Sequence, residues 1–267
     1  MMTAEEMLKQ GDLNTALQLL QEQIRHDPSD VRLRIFLFQL LALLGDWDRA
    51  MTQLSVAAEM DHSAIAMKVM YSQVLNAEAF RESVFQGEKE PVVFGEPQAW
   101  VALLIQALKL SAQGHNQEAA YLRAQAFEAA PATAGEVDGQ AFTWVADADP
   151  RLGPVLEAVI EGRYMWIPFQ NVGSILIEPP EDLRDLVWLP AHFKWLNGGE
   201  SYGLIPTRYP DSYRFDDSQV VLSRRTEWKE EATDFFVGYG PRLLATNEEE
   251  HSILNTRLIR LGNDLGD

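Results

Sequence analysis

Hydrophobic positions along this chain keep two different periods. The segments VRLRIFLFQLLALLG (Val31–Gly45) and WVALLIQALKLSAQG (Trp100–Gly114) carry apolar residues three and four apart over a broad face, the spacing of a helix that is buried or nearly so. From Arg163 onward the apolar runs are short, tend to alternate, and are separated by turn residues: RYMWIPF, GSILIEP, DLVWLP, SYGLIP, QVVLS, DFFVGYG and PRLLAT. Period two with β-branched and aromatic residues predicts strands. Asn197-Gly198 between two such runs predicts a type I′ hairpin. Thr246-x-x-Glu249 reads as a capping box opening a last helical turn, and the stretch ILNTRLIRLG fits neither period well enough to assign.

The helical half also repeats. GDLNTALQLLQEQIRHDP starts at Gly11 and GDWDRAMTQLSVAAEMDH at Gly45, aligning Asp12 with Asp46, Ala16 with Ala50, Leu20 with Leu54 and Asp27 with Asp61. A third copy, GHNQEAAYLRAQAFEAAP, starts at Gly114, with Ala119 and Pro131 where Ala16 and Pro28 stand in the first. The first spacing is 34 residues and the second 69, about two periods, so a degenerate or interrupted unit is expected between them. The pattern resembles tetratricopeptide repeats: glycine ends the first helix of a pair, a small alanine lets the helices approach, and proline or a turn residue stops the second. A non-repeat helical bundle is the competing reading. GEKEPVVFGEP (Gly87–Pro97) breaks any helix and is expected to project as a loop.

These patterns predict a multidomain α+β chain. An α-helical repeat domain over residues 1–133 would precede a small antiparallel β-rich, barrel-like domain over 134–267. In the joint between them, Pro154 at a first helical position and Gly162 at an end predict a linking helix near 154–161.

Composition narrows the function classes. The net charge is −18, with 17 acidic and 10 basic residues in 1–130 (−7) and 23 and 12 in 131–267 (−11), so neither half has the basic stripe that nucleic acid or anionic lipid requires. There is no cysteine, which removes disulfides, thiolate metal sites and cysteine nucleophiles. The longest nearly unbroken apolar run, Ile35–Leu44, is too short to span a bilayer. The amino terminus lacks the basic and apolar regions of a signal peptide, so a cytoplasmic location is expected.

Five segments then follow in a distinctive order: DADPRLGPVLEAVIEGRYMWIPF, EPPEDLRDLVWLPA, LIPTRYP, LSRRTEW and VGYGPRLLAT. With the helical first half, they resemble the ImpE family (also called TagJ or SciE), accessory components of bacterial type VI secretion systems. The one departure is Pro241 before Arg242, where the family pattern has glutamine; proline removes a backbone donor there. The resemblance implies a non-enzymatic adaptor. Its partners would be a helical segment of the sheath small subunit and the sheath-recycling AAA+ ATPase, with no cofactor. A generic peptide-binding scaffold unrelated to secretion is the alternative within the same class.

Candidate chemistry is sparse. Asp147 and Asp149 form an Asp-x-Asp pair that could hold a divalent ion in a metal-dependent hydrolase. The structural reading makes the pair a joint, with Asp149-Pro150 as a turn and Arg151, Arg163 and Arg208 available as ion-pair partners. The motif positions carried by the resemblance are Asp147, Asp149, Arg151, Arg163, Trp166, Asp185, Trp188, Arg208, Tyr209 and Trp228, for structural roles; no catalytic, cofactor or metal residue is assigned. The five histidines have no metal-ligand spacing, and Gly238-Tyr239-Gly240 lacks the third glycine of a dinucleotide fingerprint. Most of the dense aromatics should be core, with one or two left exposed as interface anchors.

Overall fold

A computed structural model describes residues 3–262. The helical half comprises α1 (Ala4–Gln10), α2 (Leu13–His26), α3 (Val31–Leu43), α4 (Trp47–Met60), α5 (Ile65–Phe85), α6 (Ala99–Ala112) and α7 (Asn116–Ala129). Repeat grammar and helix ends coincide: Asp12 and Asp46 cap α2 and α4 through Thr15 and Arg49 N–H groups, and Gly11, Gly45 and Gly114 follow α1, α3 and α6 in the left-handed region. The interrupted unit lies at α5, a single helix of 21 residues whose partner is missing.

What stands in its place is the Gly87–Pro97 stretch, which does not project. It lies on the sheet as β1 (Val92–Val93), parallel to a strand at Arg163–Pro168, with Phe94 N–H donating to Trp166 O at 2.9 Å. Val92 and Val93 supply β-prone side chains, and the flanking glycines and prolines shape only the approaches.

The β half contains β2 (Gly135–Val137), β3 (Gln140–Phe142), β4 (Val145–Asp147), β5 (Val155–Ile160), β6 (Arg163–Pro168), β7 (Val172–Ile177), β8 (Trp188–Trp195), β9 (Glu200–Pro206), a short helix α8 (Ser218–Val221), β10 (Glu227–Ala232), β11 (Phe235–Tyr239), β12 (Leu243–Thr246), β13 (Glu250–Ser252) and β14 (Leu258–Leu261). Nine strands form one sheet in the order β1-β6-β5-β9-β8-β7-β14-β2-β3, antiparallel except for β1. Its end strands do not pair, so the barrel-like expectation becomes an open sheet. A β10–β11 hairpin and a three-stranded sheet β13-β12-β4 complete the half.

Several local expectations change. Residues 155–160 form strand β5, not a linking helix. Both faces of β5 are buried, so its apolar run VLEAVI is continuous rather than alternating and imitates a buried helix. QVVLS lies largely in α8, capped by Asp217 at the Gln219 N–H. Thr246 does bond the N–H groups of Glu248 and Glu249, but within the β12–β13 turn and not at a helix. The Asn197-Gly198 hairpin is present between β8 and β9; only Gly198 is left-handed, and its N–H closes on Trp195 O, so the turn is not type I′.

Two cores flank the sheet. One face of β5 and β6 (Val155, Val159, Tyr164, Trp166) joins Phe38, Leu41, Tyr71 and Trp100 of the helices, whereas the other (Leu156, Ala158, Met165, Ile167) packs with Phe193, Ile205, Leu244 and Ile259. Helix ends meet the β half directly. Arg208 donates to Leu43 O at the end of α3, and Arg224 to Leu8 O and Lys9 O at the end of α1. Cationic donors suit the carbonyl-rich C-terminal ends. No helix among the described residues is long and apolar enough to cross a membrane.

Gly45 and Gly114 hold equivalent repeat positions with φ of 73° and 81°, but a Cβ on Gly45 would collide with the Tyr213 ring while one on Gly114 meets nothing. Gly114→Ala should cost only the left-handed backbone penalty, about 1–2 kcal/mol. Gly45→Ala should cost roughly 2–5 kcal/mol, because overpacking is added. Urea unfolding of the two variants checks the ranking.

Candidate functional site

The most unusual chemistry in the molecule begins with Glu157, the single charge in β5. Strand alternation turns it, with Val155 and Val159, toward the helices, and it is fully buried. Arg81 of α5 reaches it from the helical side, with Nε 2.7 Å from Oε1 and Nη2 3.0 Å from Oε2. Tyr164 OH donates to Oε1 at 2.5 Å, and Trp166 Nε1 donates to Tyr164 OH at 2.8 Å. Arg242, just before β12, grips Glu157 with one arm and Asp147 with the other.

The network extends both ways from there. Arg81 also binds Glu78 at 2.8 Å, whose second oxygen accepts from Trp188 Nε1 at 3.0 Å. Asp147 Oδ1 accepts the Asp149 N–H at 2.8 Å. Asp149 is held by the Arg151 guanidinium and backbone N–H and by the Gly238 N–H at 2.9 Å. Three guanidiniums (Arg81, Arg151, Arg242) thus bind four carboxylates (Glu78, Asp147, Asp149, Glu157), and Arg208 lies beside them, its carbonyl accepting from Arg81.

Burial opposes ionisation of Glu157, but Arg81 and Arg242 outweigh it and bring its pKa down to about 2. At Asp147 burial wins: against the pull of Arg242, and with Asp149 nearby, the carboxyl is pushed up to about 7. Among the described residues Arg208 has no carboxylate in direct contact; it donates to the carbonyls of Leu43 and Val221, and burial lowers its pKa to about 10.

Chemically, this arrangement holds parts together. All four oxygens of Asp147 and Asp149 are engaged by protein donors, which removes the open positions that metal chemistry needs. Among the described residues no group of three or more His, Asp or Glu could hold a metal ion. Gly238 and Gly240 are small because Tyr209 and the Arg225 carbonyl press against them, so this is a strand end and not a phosphate loop.

Exposed apolar surface lies elsewhere. The amino-terminal half of α5 leaves Ile65, Val69 and Met70 exposed, Val69 to 57%. Of these, Met70 lines a crevice of about 390 Å³ between α5 and the β8–β9 strands, together with Val74, Leu204 and Tyr202, and with Glu161 and Glu178 also on its wall. Tyr202 is 78% exposed and stacks on His192.

Comparison with known proteins matches this architecture. Residues 139–260 match the ImpE protein family, and residues 7–69 match a tetratricopeptide repeat family. A relative from Pseudomonas aeruginosa, "Type VI secretion system accessory component TagJ", is 48% identical over 96% of this chain and 90% of its own length. The chain belongs to the ImpE family. The crystal structure of protein VPA1032 from Vibrio parahaemolyticus superposes with a TM-score of 0.90 at 25% identity, covering 98% of each chain.

Within this ImpE-family chain, Asp147, Asp149, Arg151, Trp166, Trp188 and Arg208 gather in or against the ionic network. Tyr209 packs its ring against Arg242 and exchanges hydrogen bonds with the Leu243 backbone, and Trp228 covers Tyr209 with ring centres 5.6 Å apart. Asp185 instead caps the 3₁₀ turn Leu183–Leu186, accepting from the Glu181 and Asp182 N–H groups. Of the arginines expected to meet the aspartates, only Arg151 does so. Arg163 is exposed, 3.9 Å from Glu161, because it opens β6 at the turn after β5. Pro241 uses only its carbonyl, accepting from Thr226 Oγ1, so the missing donor is not needed. Sequence reasoning missed Glu78, Arg81, Glu157 and Arg242. The signal was Glu157 alone inside VLEAVI: a charge in a buried strand requires a buried countercharge.

Glu157→Ala would strand two buried guanidiniums and should cost about 3–5 kcal/mol in unfolding free energy. The pH dependence has opposite signs at the two carboxylates. Glu157 is lowered from 4.5 to about 2, so its stabilisation is complete above 4.5 and disappears as pH falls toward 2. Asp147 is raised from 3.8 to about 7, so its contribution is complete below 3.8 and is lost as pH rises through 7. The stability of the wild type relative to Asp147→Asn should therefore fall across that window in urea titrations; a pH-independent difference would contradict the assignment.

Proposed function

We propose that this protein is a non-enzymatic adaptor of a type VI secretion system that binds a helix of the sheath small subunit and links the sheath to its recycling ATPase in the cytoplasm. Kinship with an accessory component of such a system supports the setting, and paired helices of repeat type support a binding role. The single observation that carries the mechanism is the crevice against α5, lined by Met70 and Val74, beside the exposed Ile65 and Val69 of the same helix.

The faces of α4 and α5 that meet the β half are not free to hold a guest. Tyr71 of α5 packs on Trp188, Trp47 on Trp188 and Tyr213, and Arg81 on Glu157, all within the same chain. The α5 crevice, by contrast, offers apolar side chains at helical spacing with carboxylates alongside, which suits an amphipathic helix bearing basic residues next to its apolar stripe.

Titration with the amino-terminal helix of the cognate sheath small subunit tests this reading. Wild type should bind saturably, and a Val69→Glu, Met70→Glu double variant should lose at least roughly tenfold in affinity, as expected of central apolar anchors. Tyr121→Glu, on the exposed α6–α7 face, should bind like wild type. Equal affinity of the α5 variant would remove this face as the docking surface.

A further inference from the structure

A second recess, independent of the α5 crevice and of the adaptor reading, lies where α7 ends against the three-stranded sheet. Its volume is about 400 Å³, and its walls include Phe127 of α7, Trp144 just before β4, and Pro131, Pro150 and Pro154. Trp144 and Phe127 are each 39% exposed. Asp147 is the one charged residue of the lining, and Arg242 already holds it. A space of this size between aromatic rings and prolines is suited to apolar side chains.

Backbone chemistry limits the form of the guest. Val145 and Asp147, on the floor of the recess, are buried within the small sheet, so a guest strand finds no accessible edge there. Trp47, Trp166, Trp188 and Trp195 donate their indole N–H groups to acceptors within the chain, whereas Trp144 Nε1 has no acceptor among the described residues. A helix spends its carbonyls on its own N–H groups and offers that donor nothing. A polyproline II segment has no internal hydrogen bonds, so its carbonyls are free to accept while its rings pack on aromatic walls.

Charge sets what flanks the prolines. Ala146 pairs with Ala245 and Ala245 with Glu250, so the three side chains share one face of the small sheet. Ala146 and Ala245 line the recess, which puts the exposed Glu250 on the same side, two strand spacings or about 10 Å from Ala146. A polyproline II chain, rising about 3.1 Å per residue, covers that distance in about three residues. The Thr143 N–H donates to Asn247 Oδ1 at 2.6 Å, which fixes the acidic turn one residue from Trp144. The chain's own exposed Pro179-Pro180 is bordered by Glu178, Glu181 and Asp182, so a second copy would set carboxylates against Glu250. We propose that this recess accepts a proline-rich segment of another protein as a polyproline II helix, with a lysine or arginine about three residues from the seated proline and paired with Glu250.

The test uses the full chain and a short end-blocked peptide of consecutive prolines ending in two arginines, followed by calorimetry and by the indole N–H resonances. Saturable binding that moves the Trp144 indole signal is expected. Trp144→Ala should weaken it at least roughly tenfold, as loss of an aromatic anchor does. Trp144→Phe, which keeps a ring but removes the donor, should weaken it about fivefold, the worth of one neutral hydrogen bond. Glu250→Gln, at an exposed position where folding is not at stake, should weaken it roughly two- to fivefold and flatten its salt dependence. The Val69→Glu, Met70→Glu variant should bind this peptide like wild type, so failure here and failure of the α5 reading are separable. The proposal is overturned by absence of saturation at millimolar peptide, by equal binding of a peptide with alanines in place of the prolines, or by wild-type affinity in both Trp144→Phe and Glu250→Gln. Dimerisation lost in Trp144→Ala without peptide binding would assign the recess to a second copy and equally overturn it.

Discussion

Glu157 is held by Arg81 on one side and Arg242 on the other, and the packing of helices on sheet is arranged around that grip. A buried carboxylate costs several kcal/mol of desolvation, so α5 cannot slide along the sheet without exposing that cost. Replacing such a network by apolar side chains often leaves a protein as stable or more so, which places its value in register: one position of α5 on β5 satisfies every donor and acceptor, and neighbouring positions do not. Arg208 and Arg224 act in the same direction at the ends of α3 and α1, where carbonyls left over by the helices accept cationic donors from the β half. The solenoid and the sheet are therefore one structural unit in their chemistry.

That union redirects the repeat. A free-standing array of helix pairs offers its inner curve to a guest, but here this curve meets Trp188, Tyr213 and Glu157 of the same chain. What stays uncovered is a margin, the half of α5 beside β8 and β9. It combines apolar side chains with nearby carboxylates, a surface that would suit a basic partner under the proposed adaptor role.

Much of the fold was legible where local rules govern. The 34-residue repeat, its glycine stops and most of the strands after Arg163 follow from backbone chemistry within a few residues. Errors arose where long-range packing decides. VLEAVI resembles helix because both its faces are covered, and QVVLS reads as a strand although it forms most of a capped turn of helix. The Gly87–Pro97 stretch joins the sheet through hydrogen bonds to β6 far along the chain. The candidate site shows the same division. Asp147 and Asp149 were visible as a motif, whereas their partners had to be found across separations no local pattern reports, 95 residues in the case of Arg242. Which aromatics stay exposed was also undetermined by spacing, since Trp144 and Trp166 differ only in what folds over them.

The place of β14 has a kinetic consequence. Residues 258–261 pair with β7 on one side and β2 on the other, so a late strand lies in the interior of the sheet. During synthesis the β2–β3 hairpin emerges more than a hundred residues before the strand that attaches it, and until then it has no neighbour on its β2 side. The helices, rich in local contacts, can settle early, but the sheet gains its continuity only after nearly all of the described chain has been made. Assembly of this sheet should thus finish with the insertion of β14, and a chain truncated before Leu258 should be trapped with an unpaired β-edge.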